Sequence, residues 1–157
     1  MANSISAKLS SLGITLPNVS GPFGAYVPAK RVGTLIYVAG QLPMKDGQLM
    51  ATGQVPSKCS VEQAKIAARQ CVINGLAAVN SLGPGVLDSI TNVVRVGAFV
   101  SSDEAFTAQP QVVDAASELL LDIFGRPAGQ HARVSVGVNT LPRDGSVEIE
   151  FLFEVSQ

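Results

Sequence analysis

Arg133, Glu148 and Glu150 are the residues of this chain whose types and spacing could do chemistry. A guanidinium presents a rigid fork of donors that fits a carboxylate, and a glutamate can take a proton from a reacting group or return it. All three lie in two alternating runs near the C-terminus. In the first, Ala132, Val134, Val136 and Val138 share one face, while Arg133, Ser135, Gly137 and Asn139 share the other. In the second, Val147, Ile149, Phe151, Phe153 and Val155 oppose Glu148, Glu150 and Glu154. A period of two is that of a β-strand. Such polar rows are either solvated surface or the lining of a cleft, and that choice is the main question the sequence poses.

The two runs flank Pro142-Arg143-Asp144-Gly145, a turn signal, so residues 130–157 read as a β-hairpin. A turn centred between Arg143 and Asp144 pairs Asn139 with Glu148 and Arg133 with Glu154, which keeps polar residues opposite polar ones. Arg133 then stands six positions from the partner of Glu148. At ~3.4 Å per residue that is roughly 20 Å, too far for both to touch one small ligand. If both act on one molecule, they come from different subunits. The plainer reading makes Arg133 an exposed ion-pair partner of Glu154 and leaves the glutamates as solvated strand carboxylates.

Other reactive residue types carry weaker signals. His131 is the only histidine and has no cysteine or second histidine beside it in sequence, so a loop or interface position outweighs a general-base role. Cys59 and Cys71 lack metal-ligand or redox spacing and sit in or beside one helix, too far apart to bridge. Free thiols point to a reducing compartment, most simply the cytoplasm. Leu82-Gly83-Pro84-Gly85 lacks the Lys-Ser/Thr of a phosphate loop and reads as a helix stop. Neither a metal nor a cofactor is expected.

These strands need a scaffold, and the rest of the chain supplies one. Residues 4–13 can form a short helix on Ile5, Leu9 and Leu12, followed by a loop through Pro17 and Gly21-Pro22. Ala25–Ala29 and Thr34–Ala39 read as strands joined near Arg31-Val32-Gly33, and Lys45-Asp46-Gly47 marks another turn. A long helix starts at Ser60, with Gln63 placed to complete a capping box, and stops at Leu82-Gly83. Thr91–Ser101 is a β-branched strand, and a second helix spans Pro110 to Phe124 with Gly125 as its stop. The order predicts an α+β domain over residues 1–157, a mixed sheet of five or six strands with two helices on one face. Its other face would hold Arg95, Arg133, Ser135, Glu148 and Glu150 around Leu152.

Composition narrows the partners. Charged residues make up 15% of the 157, and the mean hydropathy is +0.32, values that suit a chain hiding surface in a symmetric oligomer. No apolar run is long enough to span a bilayer, and a net charge of −1 with scattered basic residues argues against broad binding to nucleic acid or an anionic membrane.

Gly24-Ala25-Tyr26-Val27, then Leu35-Ile36-Tyr37-Val38-Ala39-Gly40-Gln41-Leu42-Pro43, then Ala132-Arg133-Val134, Leu141-Pro142 and Val147-Glu148-Ile149-Glu150 resemble the RidA/YjgF family of reactive-intermediate deaminases, also labelled YjgF/L-PSP endoribonuclease-like. The resemblance runs from about residue 20 to the C-terminus, leaving residues 1–20 as an extension. It implies a fold similar to bacterial chorismate mutase, a homotrimer with clefts between subunits, and hydrolytic deamination of small 2-imino or enamino acids to 2-keto acids plus ammonia. By the same resemblance Arg133 binds the imino-acid carboxylate, Glu148 holds the attacking water and shuttles its proton, and Tyr26, Gly40 and Ser135 line the cleft. His131 and Ser135 depart from the residues common in the family, and the stretch Gln109–Gly125 is longer, as in a longer subgroup. Two rival readings are a non-catalytic trimer binding a small carboxylate, and an endoribonuclease, which the acidic balance disfavours. Chorismate mutase activity would be fold analogy alone.

Overall fold

The computed structural model describes residues 4–19 and 24–157. The Gly21-Pro22 part of the expected loop lies outside them. Helix α1 (Ile5–Ser11) is followed by strands β1 (Ala29–Val32), β2 (Leu35–Gln41), β3 (Met44–Lys45) and β4 (Gln48–Leu49). Helix α2 (Val61–Asn80), β5 (Ile90–Ser101), α3 (Gln109–Phe124), β6 (Ala132–Val138) and β7 (Val147–Val155) complete the order. Five strands form one mixed sheet in the order β1-β2-β7-β5-β6, and β3 and β4 make a small ribbon around Asp46-Gly47. The two long helices pack on one face of the sheet, as the element order predicts. Among the described residues, no helix is long and apolar enough to cross a membrane.

Local chemistry accounts for the helices. The Ser60 hydroxyl accepts from the Gln63 amide at 3.1 Å, and the Gln63 side chain accepts from the Ser60 amide at 2.9 Å. That closes the capping box and satisfies two of the donors a helix start leaves open. Gly125 ends α3 with φ +68. The start of β1 differs from expectation: the strand opens at Ala29, and Gly24–Tyr26 forms a bend. Pro28 has no amide hydrogen to give a ladder, so pairing begins only after it.

The inner face of α2 is built from small residues, Ala64, Ala67, Ala68, Cys71, Gly75 and Ala78, which let the helix lie close to the sheet. At Gly75 a Cβ would stand 2.7 Å from the Phe151 ring, which is itself stacked on Phe153 at 5.8 Å and has no room to retreat. Gly75→Ala is therefore expected to destabilise the fold by about 1–2 kcal/mol. A 2.7 Å approach to a stacked ring puts the overpacking in the upper part of its range, ~2–3 kcal/mol, less the ~1 kcal/mol that alanine gains over glycine in a helix. A lower urea midpoint with an unchanged m-value would show it; an unchanged midpoint would refute the close packing.

The expected hairpin does not exist. β7 inserts between β2 and β5, antiparallel to both, and β6 lies beyond β5 as its parallel neighbour. A parallel pair needs a crossover, and α3 supplies it. The turn at Pro142–Asp144 is real, a short 3₁₀ turn with Arg143 and Asp144 both at left-handed φ (58° and 60°). It does not join neighbouring strands, because the chain must clear the width of β5 before it re-enters the sheet. The pairs Arg133–Glu154 and Asn139–Glu148 are accordingly absent; Glu154 instead accepts from the Asn92 amide at 2.7 Å.

Register corrects the faces too. Val96, Ala98 and Val100 of β5 are buried beneath the helices, and their partners on β6 are Arg133, Ser135 and Gly137. On β7 the buried set is Val147, Ile149, Phe151, Phe153 and Val155, so Glu148 and Glu150 face the other way. Arg133 and Ser135 thus lie on the helix side of the sheet and the glutamates on the open side. On β6 the valines point to the open side, an inverted pattern for a sheet whose helices cover only one face.

Candidate active site

Glu148 sits beside an irregularity in β2. Pairing with β7 passes from Val38↔Phe151 to Gln41↔Ile149, three steps on one strand against two on the other, which is a β-bulge at Ala39-Gly40. The Glu148 carboxylate leans over Gly40, where a Cβ would collide with Oε1, so glycine is the residue that admits this approach. Beyond the bulge, the Asn74 amide of α2 donates to the carbonyls of Leu42 and Met44, each at 3.0 Å, and accepts from Gln70 at 2.9 Å. This largely buried polar pair pins the loop leaving β2 and keeps the bulge in place.

The bulge opens into a cavity of about 550 Å³ lined by Tyr26, Gly40 and Glu148, with apolar walls from Val19, Leu42 and Met44. Tyr26 is 52% exposed and stands at its side. The N-terminal segment contributes Pro17 and Val19, and Arg143 reaches the rim with its guanidinium 3.5 Å from Met44 Sδ. Burial, and next the nearby Glu150 charge, raise the pKa of Glu148 above the ordinary 4.5. Arg95 pairs with Glu150 rather than Glu148, at 2.8 Å. The arrangement suits a carboxylate that exchanges protons with a bound molecule.

Arg133 occupies a separate place. Its Nη1 donates to Asp114 Oδ1 at 2.8 Å and to Ser117 Oγ at 3.1 Å, both on α3. Ser117 Oγ lies 2.9 Å from His131 Nε2, and His131 Nδ1 lies 2.7 Å from the Gly129 carbonyl. A carbonyl only accepts, so Nδ1 carries a proton, and the Ser117 hydroxyl that accepts from Arg133 meets the other ring nitrogen. These residues line a shallow concavity of about 340 Å³ with Gln130 and Leu121. His131 is a support in this chain of hydrogen bonds. Ser135, two residues along β6, has an enclosed hydroxyl with no hydrogen-bond partner among the described residues.

The structure therefore brings Tyr26, Gly40 and Glu148 together and leaves Arg133 and Ser135 apart from them. Arg133 aligns through Val96 with Phe151, three residues from Glu148 on β7. That is about 10 Å along the strands and about 10 Å across two strand spacings, so the backbones lie ~14 Å apart rather than the 20 Å of the hairpin register. The opposite faces matter more than the distance: one chain cannot aim both side chains at one small ligand.

Asp114 and Ser117 escaped sequence reasoning, although they are one helical turn apart and lie off the apolar stripe of α3, a pairing that places them on one flank. Asn74 was hidden among the apolar positions of α2. No group of three or more His, Cys, Asp or Glu able to hold a metal ion occurs among the described residues.

Comparison with known proteins adds to this geometry. A family model described as YjgF/chorismate mutase-like, which also carries an endoribonuclease label, matches residues 6–155. Protein TCP17 of Trypanosoma cruzi is 37% identical over 152 residues, 97% of this chain and 94% of that protein. A 2-iminobutanoate/2-iminopropanoate deaminase of Dermatophagoides farinae is 30% identical over 138 residues, 87% of this chain and 91% of that enzyme. The crystal structure of protein Atu1372 from Agrobacterium tumefaciens superposes with a TM-score of 0.88 at 38% identity, covering 98% of this chain and 94% of that one.

Proposed function

The chain belongs to the RidA/YjgF family, and on that premise we propose that it hydrolyses small 2-imino or enamino acids to 2-keto acids and ammonia, in clefts completed by a second copy of itself. The observation that carries this reading is Glu148, a half-buried carboxylate with a raised pKa, held over a glycine at one wall of a mostly apolar cavity. The 30% identical deaminase supports the substrate class.

Arg133 binds and orients the ligand carboxylate from one chain, and Glu148 acts from its neighbour. Water attacks the imine carbon while its proton passes to the Glu148 carboxylate. That proton goes on to nitrogen to give a carbinolamine; Glu148 then carries the proton of the new hydroxyl to the same nitrogen, the C–N bond breaks as the keto C=O forms, and ammonia leaves the 2-keto acid. Tyr26 and Gly40 shape the Glu148 side of the cleft, and Ser135 lies beside Arg133.

A homotrimer fits the sheet. The outer edge of β6 is unpaired among the described residues, and Tyr37 and Val136 on the open face are 51% and 39% exposed. An uncovered edge beside an apolar face is a surface that association would protect. A head-to-tail ring sets the Arg133 side of each copy against the Glu148 side of the next.

The test generates 2-iminobutanoate in situ and follows its conversion to 2-oxobutanoate. Acceleration over the uncatalysed rate is expected for the wild type, and for Arg133→Ala a KM raised by roughly tenfold or more through loss of the charge-assisted pair. Carboxylate binding without acceleration would make the protein a binding trimer instead.

A further inference from the structure

The guanidinium of Arg133 is already half used. Nη1 is committed to Asp114 and Ser117, whereas Nε and Nη2 carry no protein partner among the described residues. A ligand carboxylate would therefore dock on the Nε–Nη2 edge, with the Asp114 carboxylate on the far side of the same planar group. Arg133 and Asp114 together present no net charge before the ligand arrives, and the ligand meets a like charge a few ångströms away.

We propose that Asp114 is a specificity-determining residue that restrains carboxylate affinity at Arg133 and biases the cleft towards monocarboxylate imino acids with uncharged side chains. The proposal rests on the reading of Arg133 as the carboxylate anchor. A ligand with one carboxylate can still use the Nε–Nη2 edge. A second carboxylate finds no further guanidinium or ammonium within this cluster, whose remaining polar groups are Ser117, His131 and Gln130. The Glu148 side adds to the bias, since Glu148 and Asp46 outnumber the cation Arg143 in the lining of its cavity. Ser117 holds the guanidinium through a neutral hydroxyl, so orientation and charge balance come from different residues.

The discriminating variant is Asp114→Asn, which keeps an acceptor oxygen for Nη1 and removes only the charge. Asp114 is more than half exposed, so the substitution leaves the core untouched. Calorimetric titration of the full-length protein with 2-oxobutanoate and with 2-oxoglutarate reads the effect. Removing a like charge a few ångströms from the ligand should tighten 2-oxobutanoate about tenfold and 2-oxoglutarate by more. Both gains should vanish in the Asp114→Asn/Arg133→Ala double variant, and Ser117→Ala should produce no tightening.

Unchanged, weaker or undetectable binding by Asp114→Asn overturns the proposal, as does a gain that survives loss of Arg133. Imine turnover is measured separately. Tightened binding with no turnover by the wild type defeats the deaminase reading and leaves Asp114 in its role; turnover with binding unaltered by Asp114→Asn does the reverse.

Discussion

Glu148→Gln is expected to lower kcat for imine hydrolysis by about 10²–10⁴-fold, the range a general acid–base group contributes. Glutamine has nearly the same shape, so the packing against Gly40 persists while the amide can no longer take a proton from water. The loss should therefore fall on kcat, with KM little changed, because the carboxylate anchor belongs to Arg133. Wild-type activity should decline as pH falls through the Glu148 pKa, since the base works only when ionised. Burial and Glu150 place that acid limb above 4.5, the ordinary glutamate value. Stability gives a second readout. A raised folded-state pKa means that the folded chain holds the proton more tightly than the unfolded one, so ionising Glu148 costs stability as pH rises past its ordinary value. Glu148→Gln removes this cost, and its Tm relative to wild type should be higher near neutral pH than below 4.5. A variant with wild-type kcat would remove Glu148 from the mechanism.

Two impaired variants should restore each other when they share an oligomer. If each cleft takes Arg133 from one copy and Glu148 from the next, co-expressed Arg133→Ala and Glu148→Gln chains form some clefts with both residues intact. Random mixing in a head-to-tail ring makes about a quarter of the clefts whole, one chance in two from each side. At substrate well below KM, activity should rise to roughly a quarter of the wild-type value, above the about one-tenth or less that Arg133→Ala retains and the about one-hundredth or less of Glu148→Gln. Mixing the separately folded variants without subunit exchange should restore none. No recovery in co-expressed protein, with hetero-oligomers confirmed by mass, would mean that both residues are needed from one chain. The opposite faces on which they lie argue against that outcome.

Much of this was legible in the residues themselves. Ser60 and Gln63 announce α2, Gly125 announces the end of α3, and the alternation of Val147 to Val155 announces β7 with its glutamates facing away from the core. Those signals are local, and local chemistry decides them. Strand order is not local. Two alternating runs around Pro142–Asp144 resemble a hairpin whether or not another strand lies between them, and nothing in the spacing reveals β5 there.

Faces fail for a related reason. Val134, Val136 and Val138 look like a core stripe, yet β6 turns them to the open side and sets Arg133 under the polar flank of α3. Alternation tells which residues share a face without saying what covers it. Tyr26, Gly40 and Glu148 come together because a bulge and the Asn74 clasp shape the Glu148 side, and neither has a strong sequence signature.

The place of β7 also bears on how the protein is made. Every other strand precedes it in sequence, yet β7 occupies the middle of the sheet between β2 and β5. Until residues 147–155 leave the ribosome, the β1-β2 ribbon and the β5-β6 pair are two fragments with facing raw edges, linked only through the helices above them. Such long-range pairing delays folding until synthesis of this region is nearly done. The strand that joins the fragments is the one that carries Glu148, so assembling the sheet and installing the carboxylate are one event.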